Sequence, residues 1–300
     1  MSGQYNWYFY PVFALMLSIL LSSLVILLFR YVEHFRIDEL GTITFNYLVA
    51  SLLGFLLWQD EGILADLTLK LWLVPALIIG VLFIVVYLIM SRSAATAGIT
   101  ITAVASRMSV LIPVSAGFLF FKDELTLSKS LGIVLAVISF YLVLKPAASV
   151  KLNWKKAFIP LLLLVGIGFN DTAMKYLEEK YVIGEESQFL TVVFFVSLIV
   201  GSLLFLYRIL KERQIPHWKF LPAGALLGLL NFGSTYYLLI AMSVFESSVL
   251  FPVVNMGIVL FSTLLGLVFF REKPSAQNWL GIALAVVAIL LITTGIHGNI

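Results

Sequence analysis

The chain has 300 residues, of which 61% are hydrophobic and only 12% are charged, and its mean hydropathy is +1.07. Because soluble domains carry about 25% charged residues, this composition excludes a protein whose surface lies mostly in water. The small net charge of +3 and the lack of a large basic patch argue against a nucleic-acid partner, and the absence of cysteine excludes disulfides, thiol catalysis and cysteine-ligated metals. We predict no bound metal and no cofactor.

Ten apolar runs follow one another along the chain, and each is long enough to cross a bilayer as a helix, which takes about 20 residues. Helix is predicted because strands outside a closed barrel would leave backbone groups unpaired in lipid. The first run has no lysine or arginine before it and no small-residue cleavage site, so we interpret it as a span rather than a signal peptide. All six tryptophans lie at or just beyond the ends of the runs, at the depth of the headgroups. The predicted spans are 10–29, 40–58, 71–90, 98–121, 126–144, 157–177, 188–207, 219–241, 247–270 and 275–295.

A shift of 149 residues aligns the second half of the chain with the first. Residues 120–123 (FFKD) fall on 269–272 (FFRE), residues 131–137 (LGIVLAV) fall on 280–286 (LGIALAV), and 10 of the 31 positions over 114–144 are identical. Each half therefore holds five spans, and because five is odd the second half enters the membrane from the opposite side. The predicted fold is an all-α integral membrane protein with ten transmembrane helices in two inverted five-helix repeats, a common plan of secondary transporters.

This organisation divides the chain into a first repeat, 1–145, a cytoplasmic linker, 146–156, and a second repeat, 157–300. Loop lysines and arginines indicate the orientation, since cytoplasmic loops carry an excess of both. The side that holds the termini carries 5 of them and the opposite side 13, many of these in the loops 145–156 and 208–219. We therefore predict a multi-pass protein of the cell membrane, or of the inner membrane in a bacterium, with both termini outside.

Five plus five spans without a soluble domain resemble the drug/metabolite transporter superfamily, and within it the ten-span members built from two EamA-type repeats. The likeness is strongest at the end of each repeat, where Ile112-Pro113, FFKDE at 120–124 and Leu131-Gly132-Ile133 are similar to the repeat signature, with second copies at 269–272 and 280–282. The resemblance implies export or exchange of amino acids or similar compounds. Family members often keep both termini in the cytoplasm, whereas the loop charge here predicts the opposite orientation.

Arg107 is the most informative polar residue inside a predicted span. An arginine near the middle of a membrane helix costs at least about 2.5 kcal/mol on insertion scales, so it should face a cavity or a partner rather than lipid. Its planar guanidinium suits a carboxylate or phosphate, which leaves substrate binding and a structural ion pair as alternatives. Asp171, deep in its own span, has the same two alternatives and could also couple protons, and Lys175 is spaced to pair with it on one helix face.

Further polar side chains lie within the spans. Tyr87 and Tyr236 are related by the repeat shift, as are Ser106 and Asn255, and Asn170 precedes Asp171. An amide without a hydrogen bond is costly in lipid, so these asparagines should face protein or water. We predict no catalytic residues, and the candidates for a substrate-binding cavity are Arg107, Asp171, Asn170, Tyr87, Tyr236 and Asn255.

Glycines indicate where helices approach each other. Gly224 and Gly228 have the four-residue spacing of small residues that is typical of close helix contacts in membranes. Gly166 and Gly168, just before Asn170, could loosen their helix and form a hinge.

The sequence predicts a secondary transporter, either an exporter or an exchanger, of a small polar metabolite such as an amino acid, with alternating access at a midplane cavity between the repeats. Its predicted partners are a small-molecule substrate and the lipid bilayer, in a monomer or homodimer. An intramembrane enzyme acting on a lipid-linked substrate is one alternative, but it would need metal ligands or a nucleophile with a base, and the three histidines lie in loops or the tail. A channel or scramblase is another, and it would need a continuous polar path.

Overall fold

The structure is a computed structural model that describes residues 5–58, 67–144, 154–214, 216–270 and 275–294. Within these ranges the chain forms α-helices, one short 3-10 segment at Leu67–Leu69 and two π-helical segments at Gly117–Phe121 and Glu178–Val182, and no strand. The helices are α1 Tyr5–His34, α2 Glu39–Leu56, α3 Leu73–Ala97, α4 Ile99–Met108, α5 Leu111–Ala116, α6 Leu127–Leu144, α7 Trp154–Leu177, α8 Glu186–Glu212, α9 Phe220–Met242, α10 Ser247–Phe270 and α11 Ala276–Thr294.

The predicted spans are confirmed as helical. In the described part of the chain, nine helical segments are long and apolar enough to cross a membrane, and a shorter apolar helix, Leu127–Val143, supplies the tenth. Large apolar side chains such as Met16 and Leu119 are more than half exposed, which suits contact with lipid tails. The protein is therefore an all-α integral membrane protein with ten transmembrane helices.

The fourth span is interrupted, whereas the sequence predicted one helix over 98–121. The regular α-helical hydrogen-bond pattern breaks at two turn residues, Ser109 and Val110, between α4 and α5, although both keep right-handed helical backbone angles. Pro113 explains the break because it has no N–H to donate to the Ser109 carbonyl, which a regular helix would require. The Ser109 carbonyl instead accepts a hydrogen bond from the backbone N–H of Ile112 at 3.0 Å.

The helices form two compact units, and each contains helices of both sequence halves. Unit 1 comprises Met1–Ile84 and Met174–Ser243, and unit 2 comprises Val85–Ala173 and Val244–Ile300. This grouping differs from the linear division into repeats because helices of one half pack against helices of the other. The boundaries of the repeats at 1–145 and 157–300 stay a prediction.

In unit 1, α2 packs against α8 and α9, and α1 packs against α9. A Cβ added at Gly224 would lie 2.6 Å from the Thr42 carbonyl oxygen, and one at Gly228 would lie 2.7 Å from that of Asn46, so the predicted close contact through small residues is confirmed. The Asn231 amide donates a hydrogen bond to the Asn46 side chain at 3.2 Å. These two amides therefore satisfy each other inside the membrane rather than facing lipid.

Glu185, which immediately precedes α8, binds two residues near the start of α3. Its carboxylate forms an ion pair with Lys70 and accepts a hydrogen bond from the indole N–H of the buried Trp72 at 2.5 Å. Burial raises the pKa of Glu185, but the hydrogen bonds from Lys70 and Trp72 outweigh burial and hold this pKa below its ordinary value.

In unit 2, α6 and α11 are antiparallel and contact each other through a reciprocal pair of glycines. A Cβ at Gly132 would lie 2.5 Å from the side chain of Ile292, and one at Gly281 would lie 2.7 Å from that of Val143. The shift of 149 residues takes 132 to 281 and 143 to 292, so each contact is a copy of the other. Such reciprocity is what a two-fold relation between corresponding helices requires, and the antiparallel direction shows that this pair is inverted.

The FFKDE motif at 120–124 joins the end of the fourth span to the start of the ninth. The Asp123 carboxylate accepts a hydrogen bond from the backbone N–H of Ser248 at 2.6 Å, which satisfies a donor at the beginning of α10. Lys129, only 2% exposed, donates to Glu246 at 2.5 Å and to the Glu124 carbonyl at 3.1 Å. The motif therefore has a structural role, and its second copy extends outside the described residues.

Candidate substrate-binding site

Arg107 lies in the last turn of α4, immediately before the break in the fourth span. Its Nη1 donates a hydrogen bond to Oδ1 of Asn255 on α10 at 3.0 Å. The Asn255 amide nitrogen in turn donates to the Phe251 carbonyl at 3.0 Å, which orients the amide so that its oxygen faces the guanidinium. Because the Asn255 amide is neutral, it does not neutralise the charge of the guanidinium. The bond also uses only one of the five N–H groups of the guanidinium.

The Arg107–Asn255 bond joins nearly corresponding positions of the two halves. The repeat shift places Arg107 on Met256 and Ser106 on Asn255, so the bond connects the fourth span of the first half to the fourth span of the second. Met256 is fully buried, whereas Arg107 is half-buried. Symmetry-related positions thus carry different chemistry where these two helices meet.

Asp171 lies on the part of α7 that packs in unit 2. A Cβ at Gly168, one turn earlier, would lie 2.6 Å from the Ile112 side chain and 2.9 Å from the Ser109 carbonyl oxygen, so α7 touches the interrupted span. The charges of Asp171 and Arg107 interact, and both side chains are half-buried. Among the described residues, however, no direct ion pair joins them, and no hydrogen-bond donor to the Asp171 carboxylate is found there.

The remaining candidates occupy both units. Asn170, next to Asp171, and Tyr87, on the second half of α3, are half-buried residues of unit 2. Tyr236 belongs to unit 1, where its ring stacks on Phe232 with a centroid distance of 5.9 Å. The structure thus brings Arg107, Asn255 and Asp171 together, while the pairing of the two tyrosines at a cavity stays a prediction.

The spacing of Asp171 and Lys175 permits a local pair, but the contacts of Lys175 lie elsewhere. Lys175, 2% exposed, pairs with Glu179 at 2.7 Å and donates to the Met242 carbonyl at 2.5 Å. The π-helical continuation of α7 also buries Glu178 completely. Sequence reasoning missed Glu178 because it follows the predicted end of the span at residue 177, where acidic residues are ordinarily solvated, and an extended helix was not expected there.

Comparison with known proteins gives the family. Residues 154–294 match the EamA-like transporter family. An uncharacterized protein of Haemophilus influenzae is 30% identical over 283 residues, which cover 92% of this chain and 95% of that protein. The chain belongs to the EamA-like transporter family. This EamA-like protein is therefore a multi-pass membrane transporter of the drug/metabolite transporter superfamily.

Two further similarities agree with this assignment. The EamA-like protein is 31% identical over 102 residues to YdfC, an uncharacterized transporter of Bacillus subtilis, although the match covers 33% of this chain and 32% of that one. A solved crystal structure has the same fold, with a TM-score of 0.77 and 16% identity over 95% of this chain and 96% of the other.

In the part of the chain that the structure describes, no group of three or more histidine and carboxylate side chains could hold a metal ion.

Proposed function

We propose that this EamA-like protein is a secondary transporter, an exporter or exchanger, of a small zwitterionic metabolite such as an amino acid. It works by alternating access at a midplane cavity between the two sequence repeats. Arg107 binds the carboxylate of the substrate and Asp171 binds its ammonium group. The family supports the transport of a metabolite, and the arrangement of charges supports this class of substrate.

The observation that carries the proposal is the separation of two opposite charges. Arg107 and Asp171 interact but do not form a direct ion pair within the described residues. In direct contact they would satisfy each other, whereas apart each retains attraction for a ligand. An arginine can bind a carboxylate through two parallel hydrogen bonds, which favours a planar acid at this position. A zwitterion bound between them would neutralise both charges at once and offset the cost of holding them in the membrane.

The break beside Arg107 supports the same position for the site. Transporters with inverted repeats commonly bind substrate at discontinuous helices near the bilayer midplane. Irregular backbone at that depth is tolerated where it is buried in protein or lines a water-filled cavity. Ser109 and Val110 interrupt the regular hydrogen bonding of the helix within one turn of Arg107, and α7, which carries Asp171, touches the same segment through Gly168.

The test is thermal unfolding of the purified protein with a panel of amino acids and their analogues. A ligand at about 100 times its Kd stabilises by about 2.7 kcal/mol, so a true substrate gives a clear rise in Tm. We expect a zwitterion to raise the Tm of the wild type, while analogues that lack either the amino or the carboxyl group do not. Arg107→Gln and Asp171→Asn should abolish the rise, and the exposed Arg92→Gln is the control that keeps it.

A purely structural role predicts different results. If the two charges only stabilise each other, each single variant lowers the Tm without ligand, and the double variant Arg107→Gln/Asp171→Asn recovers most of the loss. In that case ligand-dependent stabilisation would survive in the double variant. Normal uptake of the stabilising metabolite into proteoliposomes by folded Arg107→Gln protein would also refute the proposed site.

A further inference from the structure

Glu178 is a buried acid to which the proposed transport site assigns no role. It lies at the start of the π-helical segment that continues α7, and its side chain is 0% exposed. In the described part of the protein, neither of its carboxyl oxygens has a hydrogen-bond partner. Roughly 90% or more of buried polar groups in proteins are hydrogen-bonded, so an acid with two unsatisfied oxygens needs a physical explanation.

The nearest cation does not neutralise Glu178. Lys175, one turn earlier on the same helix, directs its ammonium group to the Glu179 carboxylate at 2.7 Å and to the Met242 carbonyl at 2.5 Å. Lys175 also attracts the charge of Glu178, but within the described residues no ion pair or hydrogen bond joins the two side chains. A carboxylate left in this position would be desolvated without a donor, which is among the most costly arrangements in a protein interior.

The groups around Glu178 increase that cost. Glu186 on α8 and Glu179 on its own helix both repel a negative charge at Glu178, and Lys175 is the cation that attracts it. Helix α9, which also packs against this segment, carries no charged residue, and its Tyr236 is close enough to interact with Glu186. The surroundings therefore contain more negative than positive charge.

We propose that Glu178 is a proton-binding site, neutral in the packed arrangement described here and ionised when the corner between α7 and α8 opens to water. Protonation removes the buried charge without requiring a partner. A metal ion in place of the proton is disfavoured because the ammonium of Lys175 is nearby and, among the described residues, no cluster of ligands that could hold a metal is present. The corner can then close only when Glu178 has bound a proton. The link between this closure and transport rests on the proposed transporter function.

Proton binding can be tested without any substrate. The Tm of the purified wild type should fall by roughly 5 °C as the pH rises from about 6 to about 9, because deprotonation leaves an unpaired charge in a dry site. Glu178→Gln, which imitates the neutral acid, should remove most of this fall and unfold at higher temperature than the wild type at alkaline pH. The exposed Glu33→Gln is the matched control and should show the pH dependence of the wild type. A wild type without the fall, or a Glu178→Gln variant that retains it, would overturn the proposal.

Transport provides the second measurement. In proteoliposomes, wild-type transport of a metabolite found in the thermal panel should slow several-fold over the same alkaline change, whereas transport by Glu178→Gln should not respond to pH. If no metabolite is bound or transported but the alkaline loss of Tm still depends on Glu178, the proposed function fails and proton binding stands. If Glu178→Gln transports with the pH response of the wild type, the coupling part of the inference is wrong.

Discussion

The contact between α7 and the interrupted span offers a direct test of how packing positions the charged site. In Gly168→Ala the added Cβ would lie 2.6 Å from both Cβ and Cδ1 of Ile112 and 2.9 Å from the Ser109 carbonyl oxygen. Real Cβ atoms essentially never approach other atoms this closely. Because the Ile112 Cβ and the Ser109 carbonyl are fixed to the backbone, a rotation of one side chain cannot relieve the overlap, and α7 must move away.

The cost follows from two opposing effects. Overpacking a tight contact typically costs about 1–3 kcal/mol, and replacing glycine by alanine in a helix returns up to about 1 kcal/mol. We therefore expect Gly168→Ala to lower the unfolding free energy by about 1–2 kcal/mol, and the Tm by about 2–4 °C for each kcal/mol. Since Asp171 lies one turn further along the same helix, the movement should also weaken binding of the metabolite that stabilises the wild type.

Gly166→Ala is the matched control, because it makes the same change on the same helix two residues earlier. There the added Cβ would lie 3.2 Å from Cγ2 of Val86, the end of a side chain that can adjust. Its Tm and ligand affinity should stay close to those of the wild type. If Gly168→Ala melts at the same temperature as Gly166→Ala and binds the metabolite as tightly, the described packing of α7 against the break is incorrect.

Three further results are expected. Glu246→Gln should lower the unfolding free energy by about 1–3 kcal/mol, more than Lys129→Met does, because it leaves a buried ammonium without its carboxylate; thermal unfolding compares the two. Glu185 has a lower pKa in the folded than in the unfolded protein, so the stability that it contributes is present above the unfolded-state pKa and is lost as the pH falls through the folded-state pKa. The Tm of the wild type should therefore fall more in acid than the Tm of Glu185→Gln. In intact cells, an impermeant thiol reagent should label Leu69→Cys and spare Gln214→Cys, and the reverse pattern would contradict the orientation predicted from loop charge.

The spans and their inverted relation could be predicted because both are determined by properties that the sequence displays directly. A helix must present about 20 apolar residues to cross the bilayer, so each span is visible as a run. The repeat shift could be recognised because it preserves Gly132 and Gly281, and the structure shows why these are glycines, since each admits the partner helix at close range. At this pair of helices, the lack of room for a side chain explains why both halves keep a glycine.

The contacts of the site could not be predicted in the same way. Arg107 was identified by the cost of its charge, but its bond to Asn255 depends on how two helices separated by 148 positions in the chain cross. Pro113 was visible in the sequence. The position of the break, four residues earlier, follows because Ser109 is the residue whose carbonyl would accept a hydrogen bond from the N–H that proline lacks. Glu178 was missed because its burial depends on an extra turn of π-helix, which hydropathy does not reveal.

The charged site uses a symmetric framework in an asymmetric way. The first repeat supplies Arg107, and the repeat shift places Met256 at the corresponding position; the second repeat supplies Asp171, which corresponds to Ser22. Neither half therefore holds both charges, and at each of the two positions only one of the repeats has a charged residue. Two arginines or two aspartates at symmetric positions would repel each other inside the membrane. One arginine and one aspartate instead attract each other, and their net charge is near zero. If the proposed site is correct, the divergence of the two repeats gives it a direction: a zwitterion would place its carboxylate toward the Arg107 of the first repeat and its ammonium group toward the Asp171 of the second.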